Sequence, residues 1–102
     1  MTRNEAEDLL SEIPNIEQVE IENEKTREDQ YKDIIRNSDL RACIGLLKTL
    51  LRKRQIRIAQ GRKFTTVDEK YLRETEAMLC SELSIALETE YDSAVEKVHD
   101  LI

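Results

Sequence analysis

Between Asp39 and Gly61 the chain reads DLRACIGLLKTLLRKRQIRIAQG, and its apolar residues recur with the period of an α-helix. At 100° per residue, Leu40, Cys43, Ile44, Leu50, Leu51 and Ile58 all fall within about 60° of Leu47. A stripe that wide needs other elements to cover it. The rest of the chain therefore has to supply partners for one long helix.

Those partners read as helices too. The 102 residues include two Gly, one Pro and no Trp, with 39% apolar and 37% charged residues, a composition rich in helix formers and too apolar for a disordered tail. The expected fold is all-α, a compact bundle of about five helices in one domain spanning residues 1–102. The first helix starts at Thr2, whose hydroxyl and Glu5 form a T-x-x-E capping box, and it carries Ala6, Leu9, Leu10 and Ile13 before Pro14 ends it. Ile16, Val19 and Ile21 keep no single helical period, so residues 13–23 read as a partly extended connection laid over the core. A second helix runs from about Glu24 to Arg36, with Arg27, Tyr31, Ile34 and Ile35 on neighbouring turns.

Asp39, or Ser38 before it, caps the third helix, and Gly61 supplies the C′ position that tolerates positive φ. The fourth helix starts after Thr66 with Glu69 as its box partner. It carries Leu72, Leu79, Leu83 and Ala86 on one face and Tyr71, Met78 and Ile85 on a second, the pattern of a central helix. A fifth, from about Tyr91 to Leu101, packs through Val95, Val98 and Leu101 or Ile102. The longest apolar runs are three to four residues, so neither a membrane span nor a signal peptide is expected. The expected location is the cytoplasm.

Little here suggests catalysis or a cofactor. The single histidine, His99, reads as an edge residue, and there is no phosphate-binding glycine loop or paired-cysteine metal spacing. Cys43 and Cys80 fall on or beside apolar stripes and read as buried free thiols. Glu82 lies on the apolar side of the fourth helix, and Arg54 lies within the third helix's stripe. Either an ion pair between them or a role for Glu82 in capping a neighbouring helix is expected.

Charge is distributed in blocks. Residues 1–39 hold 5 basic and 12 acidic residues, residues 40–67 hold 8 and none, and residues 68–102 hold 3 and 10. The net charge of −6 therefore hides a strongly cationic middle. On the wheel, Arg41, Lys48 and Arg52 share one flank and Lys53 and Arg57 the other. Arg62 and Lys63 follow in the turn, and Lys70 stands in the next helix's first turn. Three readings stay open: backbone contact with nucleic acid, a solvated basic face, or docking on an acidic protein surface.

From Ser38 onward the chain resembles the helical C-terminal domain of CarD-family bacterial transcription regulators. The resemblance rests on Ser38-Asp39, Leu46 to Lys53 (L-L-K-x-L-x-R-K), Thr66 to Leu72 and Glu82 to Leu87 (E-L-S-x-A-L), over about 50 residues, with the acidic helix EKTREDQYKDIIR before them. It implies a monomeric, non-enzymatic module that contacts double-stranded promoter DNA through phosphates and the minor groove, stabilising the RNA polymerase open complex. The DNA-facing positions it implies lie near Lys48, Arg52, Lys53 and Lys70. With the basic turn and flank, the candidate contact set is Arg41, Lys48, Arg52, Lys53, Arg62 and Lys70. In such regulators an N-terminal β domain grips the polymerase β subunit. Nothing in residues 1–39 resembles it, so the chain is expected to be the C-terminal half alone. Nor has it a tryptophan to wedge into the minor groove. The rival expectation is a protein-interaction or oligomerisation module whose basic helix docks on an acidic partner.

Overall fold

A computed structural model describes residues 1–37 and 39–102; Ser38, a possible cap and part of the resemblance, lies outside them. Five α-helices form the bundle: α1 (Arg3–Glu12), α2 (Arg27–Arg36), α3 (Leu40–Ala59), α4 (Thr66–Ala86) and α5 (Tyr91–Leu101). Short 3₁₀ turns cover Ile13–Asn15 and Glu24–Thr26. Among the described residues there is no strand, and no helix is long and apolar enough to cross a membrane.

The helix ends follow local chemistry. Thr2 and Glu5 close the capping box, and the Asp39 carboxylate accepts from the amides of Arg41 and Ala42. At α4 the cap stands one residue earlier than the sequence suggests. Thr65 Oγ1 accepts from the Asp68 amide at 3.2 Å and donates to the Asp68 carboxylate at 2.8 Å, so Asp68 takes the place expected of Glu69. α3 ends in a Schellman motif, with Gly61 at φ 71° and the Arg62 amide donating to Arg57 O at 2.8 Å. α4 ends the same way, but there Glu88 occupies the left-handed position at φ 52°.

α4 packs against both α3 and α5 and is the central helix. Its stripe of Leu72, Leu79 and Leu83 meets Ile44, Leu47 and Leu50 of α3 and Ala94 and Val98 of α5 in one core, closed by Ala6, Leu9 and Ile13. The wheel misplaces two residues. Ile58, in the α3 stripe, is 63% exposed, and Ile85, in the second line of α4, is 78% exposed. Ile58 lies beyond Leu51, the last buried residue of α3, whereas Ile85 lies between the buried Leu83 and Leu87 on the side of α4 turned away from the core.

The other side of α3 is covered by chain rather than helix. Cys43 to Leu47 are buried without interruption, because residues 16–21 cross the face opposite the core. The Val19 amide donates to Gly45 O at 3.2 Å, and the Thr49 hydroxyl donates to Val19 O at 2.6 Å. Gly45 permits this approach: a Cβ there would stand 2.8 Å from Glu17 O and 3.1 Å from a Val19 methyl. Gln30 of α2 ties down the far end of this strap, donating to Glu20 O at 2.8 Å and accepting from the Glu22 amide.

Candidate nucleic-acid interface

The first turn of α4 carries a carboxylate into the core. Asp68 is fully buried, and four side chains donate to it: Arg27 Nε at 3.0 Å and the Tyr31 hydroxyl at 2.9 Å on Oδ1, then Thr65 Oγ1 at 2.8 Å and Lys53 Nζ at 3.1 Å on Oδ2. One residue thus joins α2, α3 and α4. Burial opposes its ionisation, but the hydrogen bonds from Thr65, Arg27, Tyr31 and Lys53 outweigh that and hold the carboxyl below its ordinary value. Burial first, and then the Asp68 contact, push the Tyr31 hydroxyl upward. Glu24 adds a second anion, 2.8 Å from Lys53 Nζ and 3.8 Å from Arg27 Nε. Beside it the Tyr71 hydroxyl donates to Glu28 at 2.7 Å, which raises the phenol to about 12, and the Tyr31 and Tyr71 rings lie 5.4 Å apart.

Contacts within the fold, this network among them, engage three cations of the candidate set. Lys53 is committed to Asp68 and Glu24 and is only 18% exposed. Lys48 donates to Ile13 O and, at 2.6 Å, to Ile16 O, pinning the start of the strap. Arg41 pairs with Glu12 of α1. Arg52, Arg62 and Lys70 are exposed and make no ion pair among the described residues, although Lys70 Nζ lies 5.3 Å from the Tyr71 ring centre. Arg52 borders a groove with Gln18, Gln55 and His99, whereas Lys70 borders another with Lys32, Ile35 and Arg36. The structure does not bring those two into one groove.

Unpaired cations follow one another along the end of α3 and the turn after it. Arg52, Arg54, Arg57, Arg62 and Lys63 make no ion pair among the described residues, and no acid occurs between Asp39 and Asp68. Ile56 and Ile58 are exposed among them, at 48% and 63%. The expected Arg54–Glu82 pair is absent: Glu82 is exposed beside Glu5 and Leu40, and Arg54 lies near Glu69, Glu76 and Tyr91 at the other end of α4. The acid that the core does hold is Asp68. Its sequence signal is its place four residues before Leu72, on the same stripe, with Arg27 and Tyr31 one turn apart on α2 to meet it.

The remaining chemistry-bearing side chains are quiet. Cys43 and Cys80 are buried free thiols, raised by burial to about 11 and about 12, which suppresses thiolate formation. His99 Nε2 lies 2.7 Å from Glu76 at the surface. Among the described residues no three His, Cys, Asp or Glu side chains converge as metal ligands. In comparisons with known proteins, no family model, no curated protein and no solved structure matches the chain.

Proposed function

We propose that this chain is a DNA-contacting module that grips duplex phosphates through the end of α3 and the turn after it, with Arg52, Arg57, Arg62 and Lys63 as the principal contacts. The observation that carries this is the division of the cations: Arg41, Lys48 and Lys53 are engaged by the fold, while those at the end of α3 make no ion pair among the described residues. Guanidinium groups recognise phosphate oxygens, and neutralising them releases counterions, so binding is salt-dependent and largely indifferent to sequence. In keeping with the CarD-like resemblance, the module acts in the cytoplasm as part of a transcription regulator that stabilises the open promoter complex.

Titration against duplex DNA at several salt concentrations tests this. Four neutralised phosphates give a slope of roughly −3.5 in log K against log salt. Absent or salt-insensitive binding overturns the proposal. The rival reading, docking on a protein, is favoured by one observation: Ile56 and Ile58 stand exposed among the cations, and phosphates have no use for them.

A further inference from the structure

The two ends of α3 carry opposite charge, and each lies beside exposed apolar surface. At its C-terminal end Ile56 and Ile58 stand among Arg52, Arg54, Arg57, Arg62 and Lys63. At its N-terminal end a groove is lined by Glu5, Leu9, Asp39, Leu40, Arg41 and Glu82, with Arg41 neutralised by Glu12. Ile85, 78% exposed, lies one turn beyond Glu82 on α4 and three residues before Glu88, which follows the end of the helix. Twenty residues of helix at about 1.5 Å each separate the two ends by roughly 30 Å, so they cannot meet within one chain. They can meet between chains.

We infer that the cationic end of one copy docks on the acidic end of another, head to tail, with Ile58 and Ile85 as the apolar contacts inside a ring of opposite charges. The occupant is chosen by complementarity. The docking face needs a partner that is anionic and offers apolar surface, and this chain presents one at its opposite pole. An interface between two different patches is heterologous, so each added copy leaves one free end of each kind, and association proceeds beyond a closed dimer. Each copy also carries a net charge of −6, which opposes random aggregation and confines attraction to the oriented approach. DNA and a second copy then compete for the same cations, although the association itself does not depend on the DNA reading.

The test measures weight-average mass by sedimentation equilibrium without DNA, at low and high salt, up to about millimolar chain, a range in which interfaces contributing a few kcal/mol become populated. The mass of wild-type protein should rise above 11.9 kDa with concentration at low salt and return to it at high salt. Ile58→Asp disables the cationic end. The double substitution Glu82→Gln with Ile85→Asn disables the acidic end. Both alter exposed helix positions, and circular dichroism checks that the helices persist, with Arg57→Gln and Glu82→Gln alone as milder replacements. Each variant alone should remain monomeric, yet an equimolar mixture should form a two-chain species and nothing larger, because each supplies the end the other lacks. A wild type that stays at the monomer mass, a disabled variant that still associates, or a mixture that stays monomeric while wild type associates overturns the inference.

Discussion

Asp68 is the residue on which the arrangement of α2, α3 and α4 turns. Replacing it with Asn leaves Arg27 and Lys53 half-buried beside a neutral amide, and loss of one partner in such a pair costs about 3 kcal/mol. Chemical denaturation at neutral pH measures this. The pH dependence follows from its lowered carboxyl. Stabilisation is fully present above the unfolded value of about 3.9 and is lost as pH falls through the lower folded value. The wild type should therefore lose stability below about pH 4 more steeply than Asp68→Asn; parallel curves would show that the carboxyl is not held low. Glu88 offers an opposite case. A non-glycine residue at φ 52° carries a left-handed penalty of about 1 kcal/mol, and its ion pair to Arg3, at 4.0 Å, is exposed. Glu88→Gly should raise the thermal midpoint, and a lower midpoint would contradict the strain.

At the scale of the element, α3 does two jobs in succession. Its first half is enclosed by the core on one side and the strap on the other; its last turns leave the bundle and carry free cations. Gly45 makes the enclosure possible. Gly45→Ala gains about 1 kcal/mol of helix propensity, but its Cβ meets the strap backbone, a clash of the kind that costs about 1–3 kcal/mol. The expected result is net destabilisation with faster hydrogen exchange at the Val19 amide, whose acceptor is Gly45 O. Stabilisation with Val19 still protected would mean that the strap yields freely. The wheel could not foresee this, because Gly45 lies on the face away from Leu47, where a glycine reads as a weak point in the helix. Its purpose depends on a non-helical segment some 26 residues earlier in the chain.

The whole molecule was largely legible in its periodicity. Five helices, the Thr2 and Asp39 caps, the turn at Gly61 and the central place of α4 all follow from local spacing and capping chemistry. What local reading missed is pairing over distance. A wheel ranks Lys48, Arg52 and Lys53 alike as cations flanking a core stripe, yet Lys48 holds the strap's carbonyls, Lys53 serves Asp68, and Arg52 alone stays uncommitted. For the same reason Glu82, on the apolar side of its wheel, does not meet Arg54: it stands exposed beside Glu5 and Leu40, while Leu83 and Leu87 fill the core at that level. The central claim is that the cations left over at the end of α3 are the ones that meet DNA. Its most direct test compares the salt slope of duplex binding for wild type, for Arg62→Gln with Lys63→Gln, and for Lys48→Met. The double substitution should flatten the slope by about 1.8, while Lys48→Met should leave it unchanged and lower stability instead. A slope flattened by Lys48→Met and untouched by the double substitution would contradict the account.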